Sequence, residues 1–144
     1  MLLTRRNFTL TGLIALAPFN SVKGSNEIEE ARKTHLRVRK AMVSVAERLR
    51  LEDRLKQKVI STIEIYTDFE EATKFGKFEA YKGLNSKYAD LSMMRGGMSG
   101  LVEELIECDE FAHWGVIEIS TLHSFLQGAM EGAIQVIEDE RDSK

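Results

Sequence analysis

The sequence is poor in the residues that cross-link or interrupt a fold. Its 144 residues include one cysteine, Cys108, and one proline, Pro18. A single cysteine excludes an intramolecular disulfide framework, a zinc ribbon and a CxxC redox site. A single proline argues against a loop-rich all-β fold. Hydrophobic residues make up 43% of the chain, charged residues 30%, and the net charge is −3. This is an ordinary globular balance, and the length suits one domain.

The first 24 residues have the layout of an export signal. Arg5 and Arg6 precede an apolar run from Phe8 to Phe19, and the segment contains no acidic residue. The run is about twelve residues long, whereas a membrane-spanning helix needs about 20. We therefore predict a signal segment over residues 1–24 and one mature domain over residues 25–144. Two alternatives are an uncleaved membrane-associated helix and a hydrophobic first core helix.

The start of this segment resembles a twin-arginine (Tat) export signal. It reads Thr-Arg-Arg-Asn-Phe-Thr-Leu from Thr4 to Leu10, with Thr9 where the family most often has leucine. The resemblance assigns the export signal to Arg5, Arg6 and Phe8. It implies transient binding to the Tat export machinery and a periplasmic or secreted location in a bacterium. An ordinary secretory signal is the alternative.

The rest of the chain contains no proline and shows helical periodicity. Apolar positions recur every three or four residues along three stripes. The stripes are Ile28, Ala31, His35, Val38, Met42, Val45 and Leu49; then Leu51, Leu55, Val59, Ile63, Tyr66, Phe69 and Ala72; then Phe78, Tyr81, Leu84, Tyr88 and Leu91. His35 is the one polar member of the first stripe. Breaks are expected near Arg50–Asp53 (a kink or a turn), at Gly76, over residues 96–100 and at Gly115. The predicted fold is all-α: a compact antiparallel bundle of four or five helices.

Two local features refine this prediction. Asn26 followed by Glu29 is typical of a capping box, which would start the first helix there. In the last helix, Gly128 and Gly132 stand four residues apart, a spacing that permits close helix crossing. The polar segment Glu138–Lys144 is expected to end that helix.

Charge is segregated along the sequence. Residues 32–58 hold ten lysines and arginines against three acids, while residues 59–144 hold seven against seventeen. One interpretation is that basic and acidic helices lie side by side and pair at their rims. The other is a basic surface that meets an anionic partner in the cell envelope. Nucleic acid is not expected as a partner, because the chain has no recognised motif and few aromatic residues between the bases.

Several residues could carry chemistry, but none forms a complete site. Glu110 and His113 have the E-x-x-H spacing of helical metal sites, which Cys108 and His123 could extend. Met93, Met94 and Met98 could bind Cu(I), and a glycine-rich turn at Gly96–Gly100 could offer N–H groups to an anion. Packing is the simpler explanation for each set. We therefore assign no catalytic, cofactor-binding or metal-binding residue, leave the cofactor open, and do not expect an enzyme.

Two segments of the last hundred residues are similar to the core of small periplasmic helical immunity proteins of the Tai type and of acid-stress chaperone relatives. The first contains Ser99, Gly100, Leu101, Glu104, Leu105 and Cys108, and the second runs from Phe125 to Glu131. Leu122 stands where the family's second motif opens with cysteine. The resemblance covers about 35 residues, and it implies a helical protein that acts by binding.

The sequence thus predicts an exported periplasmic helical protein that binds an envelope protein or an anionic surface, with an immunity-like role. The alternative is a periplasmic metal- or cofactor-associated helical protein, or a small accessory subunit of an exported enzyme. No stable transmembrane span is expected after signal cleavage.

The export signal yields a direct test. Replacing both arginines (Arg5→Lys with Arg6→Lys) should leave the precursor in the cytoplasm, because the Tat pathway reads the arginine pair. Cell fractionation and immunoblotting measure the outcome. Unchanged export of the double variant would refute the twin-arginine assignment.

Overall fold

The computed structural model describes residues 22–74, 76–84 and 87–144. Within these residues there are six α-helices and one 3₁₀ turn and no strand. The four longer helices are α1 (Val22–Arg48), α2 (Asp53–Tyr66), α5 (Ala89–Glu107) and α6 (Val116–Asp142). The short helices α3 (Phe69–Lys74) and α4 (Lys77–Leu84) connect α2 to α5, and the 3₁₀ turn Asp109–Phe111 connects α5 to α6.

The four longer helices form an antiparallel bundle. Helix α1 packs against α2, α5 and α6, and α5 also packs against α2 and α6. Cross-helix bonds give the directions: Arg39 of α1 reaches the end of α2 at Glu64, and Arg37 reaches Glu140 at the end of α6. The predicted all-α bundle is therefore confirmed.

The stripes predicted from the sequence supply the core. Val38, Met42, Val59, Ile63 and Leu91 are all buried. Other members of the same cluster come from the later helices: Leu101, Leu105, Phe111, Leu122, Leu126, Met130, Ile134 and Ile137. The phase slip near Arg50–Asp53 is a turn between α1 and α2 rather than a kink. The capping prediction is wrong, because α1 already includes Val22 and Asn26 lies inside it.

The second stripe divides between α2 and α3 instead of continuing to Gly76. Helix α2 ends at Tyr66, where Arg39 of α1 donates hydrogen bonds to the Glu64 carbonyl at 3.2 Å and to the Thr67 hydroxyl at 2.9 Å. A cation at this point complements the partial negative charge of the helix C-terminus. Gly76 lies in the connection between α3 and α4 with φ of 69°, a conformation that favours glycine.

The expected break over residues 96–100 is wrong, because α5 runs through all three of its glycines. Two tyrosines from other elements explain why glycine is present. A Cβ at Gly96 would lie 3.0 Å from the hydroxyl of Tyr81, and one at Gly100 would lie 2.8 Å from Cε1 of Tyr66. The glycines let these rings approach the backbone of α5.

Helix α6 ends at Asp142, inside the polar segment Glu138–Lys144, as predicted. Gly128 and Gly132 are exposed, and no other part of the described structure comes within 4 Å of where a Cβ would lie at either position. The described helices therefore do not cross closely at these two glycines. None of the described helices is both long and apolar enough to span a membrane.

The two kinds of helical glycine should respond oppositely to alanine. Gly128→Ala should raise the free energy of unfolding by about 0.5–1 kcal/mol, because alanine is the better helix former and the position is open. Gly100→Ala should lower it, since overpacking against Tyr66 costs about 1–3 kcal/mol and exceeds that gain. Urea unfolding of both variants measures the difference. Equal stabilisation at both positions would contradict the proposed role of Tyr66.

Candidate functional site

A pocket of about 530 Å³ opens at the end of the bundle where α1 begins and α6 ends. Its floor contains the buried apolar side chains of Ala31 and Phe78. Its polar lining comes from three parts of the fold. These residues are Asn26, Glu27 and Glu30 of α1, Lys87 and Asp90 around the start of α5, and Arg141 and Lys144 at the end of α6. Small-molecule sites typically combine such an apolar base with a few polar groups, and their volumes are about 300–1,000 Å³.

An ion pair between Asp90 and Arg141 forms the inner polar wall of the pocket. The Arg141 guanidinium donates to both carboxylate oxygens of Asp90, at 3.0 and 2.7 Å. It also donates to the hydroxyl of Thr34 at 2.9 Å and to the carbonyl of Lys87 at 2.8 Å. The Asp90 side chain is only 5% exposed and that of Arg141 20%. This pairing raises the pKa of Arg141, with the hydrogen bond to Asp90 as the largest cause.

The rim of the pocket carries more accessible charges. Lys87 contacts Asp142 at 3.3 Å, and its side chain is 52% exposed. Glu30 contacts Lys33 at 3.6 Å and is 72% exposed, whereas Glu27 pairs with Lys82 at 2.5 Å. The glutamates of the lining belong to α1, and its lysines belong to the chain around α5 and α6. The pocket therefore presents charges of opposite sign from different walls.

His35 lies near the pocket but in the protein interior. Its side chain is 3% exposed, and neither ring nitrogen has a hydrogen-bond partner of normal geometry among the described residues. The ring packs edge-on against Phe69, with ring centroids 5.2 Å apart. Burial lowers the pKa of His35 to about 4, against the opposing influence of the Asp90 carboxylate. The histidine is therefore neutral at pH 7 and acts as a core residue.

A second candidate surface is the outward side of α6, here called the outer face. It consists of Ile117, Thr121, Phe125, Gly128, Gly132 and Val136, all exposed and spaced by three or four residues. Ile117 is 81% exposed, and Phe125 and Val136 are each 52% exposed. Residues 119–130 contain no Asp, Glu, Lys or Arg, although such residues form 30% of the chain. The outer face is thus an uncharged, partly apolar surface.

The structure separates the residues considered for metal binding. Glu110 lies in the 3₁₀ turn and His113 follows it at an exposed position, so the pair does not occupy one α-helix as its spacing suggested. Cys108 ends α5, and its thiol donates to the Glu104 carbonyl at 3.0 Å. Burial raises the pKa of Cys108, which keeps the thiol protonated. No group of three or more His, Cys, Asp or Glu side chains in the described residues, which include His123, could hold a metal ion.

The methionines and glycines of α5 are structural. Met94 and Met98 belong to the main core, while Met93 belongs to a separate small cluster with Phe69 and Phe78. The three sulfur-bearing side chains are therefore divided between two regions and do not form one thioether site. The proposed anion site at Gly96–Gly100 is wrong, because these residues lie inside a helix and their backbone N–H groups take part in helical hydrogen bonding.

The basic segment is partly neutralised within the fold. Arg32 pairs with Glu70 at 2.6 Å, and Arg37 pairs with Glu140 at 2.7 Å. Lys40, Arg48, Arg50 and Arg54 make no ion pair with another described residue and are exposed. Pairing at the rims thus applies to Arg32 and Arg37, whereas cations remain accessible at Lys40 and around the turn from α1 to α2.

The comparisons with known proteins leave the family open. No protein-family model, curated protein or solved structure matches this chain. The export residues Arg5, Arg6 and Phe8 lie outside the described residues. Both sequence resemblances therefore stay predictions.

The buried histidine makes stability depend on pH. The pKa of His35 is about 4 in the folded protein and about 6.5 in an unfolded chain. Between these values the unfolded state binds more protons, so the free energy of unfolding falls as the pH is lowered from 6.5 to 4. Wild type should lose about 2–3 kcal/mol more than His35→Leu between pH 7 and pH 4.5.

Urea unfolding of both proteins at the two pH values measures this difference. His113→Leu, at an exposed position, controls for the loss of a histidine as such. A wild-type protein and a His35→Leu variant that lose stability in parallel would show that His35 is not the responsible group.

Proposed function

We propose that this chain is an exported, non-enzymatic helical protein that binds a partner protein in the periplasm through the outer face of α6. The periplasmic location is supported by the resemblance of the segment around Arg5, Arg6 and Phe8 to a twin-arginine export signal. The binding role rests on the outer face itself. This surface is exposed, carries no charged side chain and includes the longest uncharged stretch of α6, residues 119–130. Its large apolar side chains make it suited to a contact with another protein.

The glycines of the outer face strengthen this proposal. A glycine in a helix interior costs about 0.5–1 kcal/mol relative to alanine. Gly96 and Gly100 are explained by the tyrosines that pack on them, but Gly128 and Gly132 have no such neighbour among the described residues. Small residues at this spacing allow another backbone to approach closely, and Phe125 and Val136 flank them as apolar anchors. A partner that lays an apolar helix along α6 would use all four residues.

The charges beside the outer face favour an amphipathic partner. The ion pair between Arg37 and Glu140 joins α1 to the last turns of α6, and Lys40 lies three residues after Arg37 on α1. Lys40 is exposed and makes no ion pair with another described residue. A partner helix with an apolar stripe and an acidic flank would complement both surfaces.

The Tai-type resemblance supports the same region. Its second segment, from Phe125 to Glu131, begins at the aromatic residue of the outer face. The resemblance implies an immunity-like protein, which would act by occupying the surface of another protein. We therefore propose that the outer face is the immunity-like binding surface.

Site-specific crosslinking tests this function. A photoreactive amino acid placed at position 125 in the full chain should give one crosslinked product with a defined envelope protein in the native host. Competition with unlabelled wild type should abolish the product, while competition with Phe125→Glu should not. Mass spectrometry identifies the partner and the contact site.

Position 84 supplies the matched control, because Leu84 is 83% exposed but lies on α4. Leu84→Glu should compete as well as wild type, and Gly128→Leu should fail to compete. Equal competition by Phe125→Glu would refute the outer face as the binding surface. A product of two copies of this chain would overturn the proposal of a distinct partner.

A further inference from the structure

We propose that the pocket at the end of the bundle binds a small zwitterion, a molecule with an ammonium group and a carboxylate on an apolar body, such as a free α-amino acid with an aliphatic side chain. This site is separate from the outer face of α6. The proposal does not depend on the proposed partner protein, and either can fail alone.

The charge balance of the pocket selects this ligand class. Its lining contains three acids, Glu27, Glu30 and Asp90, and three cations, Lys87, Arg141 and Lys144. Because the charges cancel, neither a multiply charged anion nor a multiply charged cation gains from the pocket as a whole. A ligand that is neutral overall but carries separated charges can satisfy both signs at once.

Only some of these charges are available to a ligand. Asp90 and Arg141 are committed to each other, and Glu27 is held by Lys82. Glu30 has a single long contact to Lys33 and is mostly exposed. Lys87 has a 3.3 Å contact to Asp142, and an ammonium group can donate three hydrogen bonds. Glu30 is therefore the group for the ligand's ammonium, and Lys87, with Lys144 beside it, is the group for the carboxylate.

The remaining lining accounts for the apolar body. Ala31 and Phe78 are the apolar residues of the lining, and they are 2% and 6% exposed. A volume of about 530 Å³ is ample for a molecule of amino-acid size. The inner Asp90–Arg141 pair adds a polar wall whose charges are already balanced, so it excludes no neutral ligand.

Three matched probes test the ligand class. L-Leucine carries both charges, 4-methylpentanoate carries the carboxylate on a closely similar body, and 3-methylbutylamine carries only the amine. Titration of the ¹⁵N-labelled full chain at pH 7 and low salt should show saturable shifts of pocket amides with leucine. Each single-charge analogue should bind at least tenfold more weakly.

Two variants test which lining residue binds each charge of the ligand. Glu30→Gln should weaken leucine at least fivefold without changing the response to 4-methylpentanoate, and Lys87→Met should weaken leucine without changing the response to 3-methylbutylamine. Glu103→Gln and Arg54→Met, which change exposed charges outside the pocket, should bind leucine as wild type does. Circular dichroism verifies that each variant is folded.

The probe series alone can refute the proposal. Absence of saturable shifts with leucine, or equal binding by either single-charge analogue, would overturn the zwitterion assignment. Unchanged leucine binding in both Glu30→Gln and Lys87→Met would show that these walls do not hold the ligand.

Discussion

Arg141 in the last turn of α6 holds three helices together at one end of the bundle. Its planar guanidinium donates to Asp90 of α5, to Thr34 of α1 and to the backbone carbonyl that precedes α5. A rigid fork of this kind accepts little change in geometry, so it fixes rotation and register as well as proximity. Removing one partner of a buried pair typically costs about 3–5 kcal/mol, since the other charge is left uncompensated. The partial exposure of Arg141 places this pair toward the lower part of that range.

The orientation of α6 follows from this constraint together with the core. With Arg141 turned toward Asp90, the apolar residues Leu126, Met130, Ile134 and Ile137 lie inside the bundle. Phe125, Gly128, Gly132 and Val136 consequently lie outside. The same ion pair also forms the inner wall of the pocket. One interaction thus positions both the outer face and the pocket, although the two surfaces use different residues.

Local periodicity predicted the helices and the core better than it predicted the interruptions. The stripe from Ile28 to Leu49 requires only a regular spacing, and the structure places it against the core as expected. The glycines of α5 look like a turn in the sequence, because their reason for being glycine lies in Tyr66 and Tyr81, which are 34 and 15 residues away from their contacts. A sequence pattern cannot show which distant ring will pack on a backbone.

The candidate site could be predicted even less, because its parts are dispersed along the chain. Asp90 and Arg141 are 51 residues apart, and the pocket lining comes from four helices and their flanking residues. The sequence shows His35 as the one polar residue of an apolar stripe. Its neutral state depends on the folded protein, in which Phe69 packs on the ring and burial outweighs the opposing charge of Asp90.

The net charge of −3 is likewise a sum that conceals a basic segment, residues 32–58, and an acidic remainder. Only the fold shows which of these charges pair. Arg32 and Arg37 of the basic segment face acids of α3 and α6, whereas Lys40 faces none among the described residues. Exposed pairs of this kind orient the helices more than they stabilise them. Lys40 keeps an exposed charge that no described residue pairs with, so the division of charge along the sequence is only partly neutralised by the fold.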